Sequence, residues 1–281
     1  MEDFNFNSPL QDNNDTNTNS DFERGGFIIY VMTCAIPCVG LPLTLGAIYA
    51  LYCLVRNGHV VPVYVINLLI SDLIQLCWMI AEVTRPLTET DYLFYIYGLL
   101  VSVGFMVCIA LERYLVIAWP LWYRFRRTIK SSVVVCVMVW AFPLVYLLPS
   151  HFWFDFEVIE IIFAVIILVP FPLLIFFLIG TLKALSAADR VASDEKRRIV
   201  GILVLVLLIY TLLFLPSVIW FLAQRAKKNF ILGGLSFVFL KLSPLADLAL
   251  YVFVRKGIID KLLASLCRCR TDSNDISISA V

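Results

Sequence analysis

The chain is 281 residues long, 61% apolar and only 15% charged, with a formal net charge of +1 and a mean hydropathy of +0.91. Those proportions exclude a water-soluble globular domain and make the hydrocarbon core of a bilayer the solvent for most of the sequence. No nucleic-acid partner is expected.

A helix needs about 20 predominantly apolar residues to cross a core roughly 30 Å thick, because each residue rises about 1.5 Å. Seven stretches have that length, near residues 27–54, 60–83, 91–117, 131–149, 157–183, 198–223 and 230–254. Segments this long exclude a membrane β-barrel, whose strands would be about ten residues long and alternate in polarity. The predicted fold is an all-α membrane protein, a seven-transmembrane helix bundle with a short amphipathic eighth helix. Residues 1–26 form a tail, 27–254 the membrane domain and 255–281 the amphipathic helix with a cytoplasmic tail.

The N-terminal 26 residues, rich in Asn, Asp and Ser and ending at Gly25-Gly26, read as a disordered tail rather than a cleaved signal peptide. Asn14-Asp15-Thr16 is an N-glycosylation sequon within it, with Asn14 as acceptor. Basic residues then collect in alternate connections: Arg56; Arg124, Arg126, Arg127 and Lys130; Arg190, Lys196, Arg197 and Arg198. The C-terminal segment adds Arg255, Lys256, Lys261, Arg268 and Arg270, against Arg225, Lys227 and Lys228 in the last outer loop. This bias predicts a multi-pass plasma-membrane protein with its N-terminus extracellular and its C-terminus cytoplasmic.

The third span ends in Glu112-Arg113-Tyr114. A charge near mid-bilayer costs about 2.5–3.5 kcal/mol on insertion scales, so an Arg at this depth requires a polar partner and a bundle-facing position. Glu112 is the nearest such partner; an interfacial anchor pair at a helix end would satisfy the same chemistry.

Asn67-Leu68-Leu69-Ile70-Ser71-Asp72 in the second span matches the pattern NLxxxD, Glu112-Arg113-Tyr114 the pattern D/E-R-Y, and Pro120-Leu121-Trp122-Tyr123 the PLxY that follows it. With Trp140 in the fourth span, Phe214-Leu215-Pro216 in the sixth and Asp247-Leu248-Ala249-Leu250-Tyr251 in the seventh, the chain resembles the class A, rhodopsin-like G-protein-coupled receptors from Gly40 to Cys269. The texture from Ser102 to Tyr123 is most similar to the purinergic and proton-sensing branch.

That resemblance implies a cell-surface receptor coupling an extracellular ligand to a heterotrimeric G protein. Arg113 would be held by Glu112 at rest and freed when the sixth span swings outward, with Tyr114, Pro120, Leu121 and Tyr251 in the coupling region. Lys196, Arg197 and Arg198, at the foot of the sixth span, would be a docking cluster or simply a positive-inside signal. Asp72, Ser102, Ser243 and Asp247 fall on positions lining the family's sodium pocket. Two carboxylates in one low-dielectric site cannot both stay charged cheaply, so either a sodium ion lies between them or one takes a proton; a hydrogen-bonded structural cluster is the alternative. Sodium is the one ligand of cofactor type expected. The outer ligand pocket would involve Glu82, Tyr95, Leu99, Phe214, Ser217 and Lys241.

Lys241 is the most unusual charge. It matches the retinal-attachment position of visual opsins, with Asp91 at the counterion position, which makes a light receptor a rival. By helical rise, however, Glu82 stands about 15 Å above Asp72 and Lys241 about 9 Å above Asp247. With Lys241 reaching upward, the two can pair, either as an ion pair or as an anchor for a ligand carboxylate. Lys241 with Arg225, Lys227 and Lys228 suggests an anionic ligand such as a nucleotide or lipid.

Several residues depart from the family pattern. Cys34, Cys38, Cys53, Cys77, Cys108 and Cys136 lie within spans and Cys267 and Cys269 inside the cell, so the family's outer disulfide cannot form. Thr44 stands for the first-span Asn, Gly180 for the fifth-span Tyr, Phe214 for the sixth-span Trp and Leu248 for the seventh-span Pro. These changes make a receptor-like protein with weak or no signalling the main alternative. Beyond the last span, Ile258, Ile259, Leu262, Leu263 and Leu266 share one face of the expected eighth helix. Cys267 and Cys269 follow as palmitoylation candidates. The terminal Ser279-Ala280-Val281 resembles a PDZ-binding end, and Thr271, Ser273, Ser277 and Ser279 offer phosphate acceptors before arrestin. No HExxH, GxSxG, glycine-rich phosphate loop or Cys/His metal spacing occurs, so no enzyme is expected. No repeated half that would mark a transporter is apparent.

Overall fold

In the computed structural model, the described residues are 13–56, 62–85, 89–126, 129–153, 156–187, 193–223 and 230–253. Among them the regular structure is helical throughout. Helix α1 spans Asn13–Arg56, α2 Val63–Thr84, α3 Glu89–Ala118, α4 Pro120–Arg126 and α5 Ile129–Trp153. These are followed by α6 Phe156–Leu168, α7 Pro170–Ala187, α8 Ser193–Ala223 and α9 Phe230–Lys241. A final helix, α10, covers 243–253. The expected amphipathic eighth helix and Cys267 and Cys269 lie outside the described residues.

Seven segments are long and apolar enough to cross a bilayer: Gly26–Leu54, Val63–Thr84, Tyr92–Ala118, Lys130–Pro149, Ile162–Ser186, Ile199–Ile219 and Ser236–Phe253. The third is the bundle's axis. Its most apolar window is 67% buried, against 18% for the fourth span, and α3 packs on α2, α5, α7 and α8. Contacts of α1 with α2, α7 with α8, α8 with α9 and α9 back to α1 close the ring around it. Large apolar side chains such as Leu43, Tyr49, Val137, Val145, Phe176 and Leu212 point outward. That inverts the soluble pattern, as expected where the surroundings are as apolar as the core.

The boundaries differ from expectation where proline and helix propagation intervene. Helix α1 starts at Asn13, so residues 13–26 of the expected disordered tail are helical; adding turns to an already nucleated span costs little. The fifth span is two helices, α6 and α7, parted at Val169 immediately before Pro170, which has no N–H to continue the ladder. The seventh span is parted at Leu242, two residues before Pro244. Leu242 N–H reaches both the Val238 carbonyl (3.1 Å) and the Phe239 carbonyl (3.2 Å), a tightened turn. Leu248 removes the family's proline, but Pro244 breaks the helix one turn earlier.

Candidate functional site

Three polar clusters lie at successive depths along the bundle interior. The outermost is centred on Lys241, which ends α9. Its Nζ donates to Glu82 Oε1 at 2.7 Å, Glu82 Oε2 at 2.8 Å and Thr33 Oγ1 at 2.9 Å. This is the ion pair that helical rise predicts, and Thr33 adds a third acceptor that sequence reasoning missed. The ammonium also lies 5.8 Å from the centre of the Trp78 ring. Lys241 is 4% exposed, while the Glu82 side chain keeps 27% exposure, so the ammonium is the more deeply buried partner of the pair. All three N–H bonds of Lys241 are therefore used within the protein. The side chain of Asp91, the expected counterion position, is outside the described residues.

At mid-depth Asp72, Ser102, Ser243 and Asp247 are all fully buried. Ser102 Oγ donates to Asp247 Oδ2 at 2.9 Å, and the carboxyls of Asp72 and Asp247 lie within direct reach of each other. Both oxygens of Asp72, Oδ1 of Asp247, Ser243 Oγ and Thr44 Oγ1 are buried without a hydrogen-bond partner. Two carboxylates accept and cannot bond one another without a proton or cation between them. Asp72, Ser102 and Asp247, with Ser243 one turn from Asp247 on α10, offer oxygen and no sulfur or nitrogen, the donor chemistry a hard cation takes. Among the described residues no group of three His, Cys, Asp or Glu could hold a metal ion.

The innermost cluster follows the third helix to its end. The expected Glu112–Arg113 pair is not what holds the carboxylate: Tyr123 Oη, on α4, donates to Glu112 Oε1 at 2.6 Å. Successive residues on a helix point about 100° apart, so an i,i+1 pair diverges, whereas the short helix starting at Pro120 turns Tyr123 back toward Glu112. Glu112 is buried, and Arg113 Nε is buried without a partner. Tyr114 stacks on Phe177 with ring centres 5.6 Å apart and meets Phe176 at 5.9 Å. A Cβ at Gly180 would come 2.6 Å from Tyr114 Cε2, so the glycine at the fifth-span tyrosine position makes room for the third-helix tyrosine. Leu121 is exposed and Tyr251 buried. Lys196, Arg197 and Arg198 lie on the first turns of α8, with side chains outside the described residues.

Of the expected ligand-pocket residues, Phe214 lines a small cavity with Ile167, Leu168, Phe171, Tyr210, Leu215 and Val218. Tyr95, Leu99, Phe214 and Ser217 are all buried. Tyr95 packs on Trp78, with ring centres 4.6 Å apart. Phe214 stacks on Tyr210 at 4.7 Å, whose hydroxyl donates to the Ile167 carbonyl across the break in the fifth span. Ser217 Oγ is committed to the Ser236 carbonyl at 3.2 Å, answered by Ser236 Oγ to the Pro216 carbonyl at 3.3 Å. Trp140 acts within the scaffold, its Nε1 donating to Asn67 Oδ1 at 3.0 Å while Tyr97 Oη donates to the Trp140 carbonyl at 3.1 Å.

Sequence reasoning missed Thr33, Gln75 and Trp78, and it gave Tyr123 only as part of the PLxY pattern, without its bond to Glu112. The signal for two of them was legible: Asp72, Gln75, Trp78 and Glu82 recur at three- and four-residue steps, one stripe of an otherwise apolar helix.

The profile described as "7 transmembrane receptor (rhodopsin family)" matches residues 45–160. G-protein coupled receptor 68 of Mus musculus is 26% identical over 269 residues, a match covering 81% of this chain and 72% of that protein. The Homo sapiens protein of the same name gives the same identity and coverage. Mas-related G-protein coupled receptor member X1 of Homo sapiens is 29% identical over 121 residues, covering 41% of this chain and 37% of the relative.

Proposed function

We propose that the chain is a member of the rhodopsin-like family of seven-transmembrane receptors, a multi-pass protein of the plasma membrane and not an enzyme, and that it signals as follows. An extracellular ligand binds on the side of Lys241 and Glu82. The sixth helix, α8, then swings outward and opens the inner end of α3 to a heterotrimeric G protein. The N-terminus is outside, and Arg113, Tyr114, Leu121, Tyr251 and the Lys196-Arg197-Arg198 cluster face the transducer.

The observation that carries this is the state of Arg113. Its Nε is buried and unpartnered while Glu112 is engaged by Tyr123. A cationic side chain with an unmet donor beneath the bundle is poised to take an acceptor from an incoming partner once the helices part. By linkage, an agonist must bind the open form more tightly than the closed one, and the G protein must raise agonist affinity in return.

A sodium ion at Asp72 and Asp247 would favour the closed form, with Ser102 and Ser243 as neighbouring oxygens. An anionic ligand would have to compete with Glu82 for Lys241, helped by Arg225, Lys227 and Lys228 in the last outer loop. Glycosylation at Asn14, palmitoylation at Cys267 and Cys269, arrestin engagement and a PDZ partner for Val281 complete the proposal.

The test is G-protein dissociation in cells over a ligand panel, comparing wild type with Arg113→Ala. Loss of basal and evoked signal in the variant at equal surface expression is expected. An undiminished signal would show that Arg113 does not couple.

A second reading rests on Phe214, Gly180 and Leu248, three positions where the family's switch residues are absent. The protein would then bind ligand and signal weakly or not at all, and the same panel would find ligand binding without G-protein dissociation. Attachment of retinal to Lys241 is disfavoured, because imine formation needs a neutral, free amine and all three N–H bonds here are held by Glu82 and Thr33.

A further inference from the structure

The core-facing stripe of α7 runs Leu174, Phe177, Thr181 and Leu185, at steps of three and four residues, and every side chain in it is buried. Thr181 alone in that stripe is polar. It is fully buried and its Oγ1 has no hydrogen-bond partner, although a helical threonine ordinarily returns its hydroxyl to a carbonyl one turn back, as Thr33 and Thr211 do. On α3, Arg113 Nε is likewise buried and unpartnered.

The span limits set the depth of both groups. Arg113 lies five residues before Ala118, where the third span ends, and Thr181 five residues before Ser186, where the fifth ends. By helical rise each sits about 7.5 Å from the inner end of its span. The two helices touch at this level: α3 packs along α7, and the ring of Tyr114, the residue after Arg113, fills the space beside Gly180, the residue before Thr181. Helix α8 packs on both of them. Its Leu203, four residues from the inner end of the sixth span, is buried together with Ile202 and Val206.

A buried hydroxyl without a partner costs stability, and an apolar group of the same shape recovers that cost. A donor and an acceptor, both unmet, at one depth on adjacent helices are accounted for by a second arrangement in which they meet. We propose that Thr181 is the positioning residue for Arg113. In the closed form the apolar face of α8 at Ile202, Leu203 and Val206 keeps the two apart, and when α8 swings outward Arg113 Nε–H donates to Thr181 Oγ1. Fixing Nε leaves the terminal N–H groups of the guanidinium fork for carbonyl or carboxylate oxygens of the incoming transducer. The proposal rests on the coupling reading of Arg113.

The experiment uses the purified full chain in lipid nanodiscs, with heterotrimeric G proteins as the probe, one Gα class at a time, and apyrase to hold any complex nucleotide-free. Thr181→Val keeps the shape and removes the hydroxyl. It is expected to weaken heterotrimer binding about tenfold and to raise the melting temperature of the protein alone, while Thr181→Ser, which restores a hydroxyl, binds like wild type. In an Arg113→Ala background Thr181→Val is expected to cause no further loss, because the two residues act as one unit. If Thr181→Val does not fold, Thr181→Ala decides the binding comparison by itself. A loss that adds to that of Arg113→Ala, or wild-type binding by Thr181→Val where Arg113→Ala binds poorly, would overturn the positioning role and leave the coupling reading standing. Wild-type binding by Arg113→Ala, or a wild-type chain that takes up no heterotrimer, would overturn the coupling reading and the positioning role together.

Discussion

Gly180 and Tyr114 illustrate how one residue changes its neighbour's role. The Tyr114 ring occupies the volume that a side chain at 180 would need, and stacks on Phe177 one turn away. Gly180→Ala would force the ring or the fifth helix to shift, because a contact of 2.6 Å is far inside van der Waals distance. Overpacking of this kind costs about 1–3 kcal/mol, so a lower melting temperature of the purified receptor is expected; an unchanged one would show that the Tyr114 ring yields freely. Lys241 shows the opposite relation between sequence and structure. Its partner Glu82 could be deduced from rise per residue alone, because a straight helix converts residue number into depth. Thr33 could not, since which face of α1 meets α9 depends on the rotation of both helices. Glu112 was identified as buried and polar, yet its bond to Tyr123 instead of Arg113 follows from the direction in which α4 leaves α3.

Two spans are interrupted next to prolines, the fifth at Val169 and the seventh at Leu242, and the sixth carries Pro216 within a continuous helix. Pro170 interrupts the fifth span, and there the Ile167 carbonyl accepts the hydroxyl of Tyr210 from the sixth. Above that bond, Ser217 and Ser236 exchange hydroxyl-to-carbonyl bonds at Pro216, tying the sixth helix to the seventh. The sixth helix is thus fastened to the fifth and to the seventh, and its outward movement must release one fastening. Tyr210→Phe removes only a hydroxyl from a stacked, buried ring. An interhelical bond of this type contributes about 0.6–1.7 kcal/mol, and the variant is expected to melt at a lower temperature and to show raised basal G-protein dissociation. Equal stability and equal basal signal would mean that the bond does not restrain the helix. The prolines were visible in the sequence; the tyrosine that answers one of them was not, because the two are 43 residues apart.

For the whole molecule, the interior is a column of charges and hydroxyls running from Glu82 to Arg113 through an apolar bundle whose outer surface suits lipid. Its middle rung carries two carboxylates and, among the described residues, no cation to balance them. Sodium that binds only the folded protein stabilises it by mass action, by about 2.7 kcal/mol at a hundredfold excess over the dissociation constant. Asp72→Asn or Asp247→Asn should therefore abolish the difference in melting temperature between sodium and potassium, and a difference that survives both substitutions would locate the ion elsewhere. The number of spans, the approximate span limits and the identity of the buried carboxylates were all determined by the sequence, because insertion into hydrocarbon is a local requirement that each segment of about 20 residues meets or fails on its own. That Thr33 joins Glu82 at Lys241, which donor holds Glu112, and what Tyr95, Phe214 and Ser217 pack against were decided only by the tertiary structure. Those outcomes depend on the relative rotation and tilt of neighbouring helices, which side-chain packing sets and hydropathy does not encode.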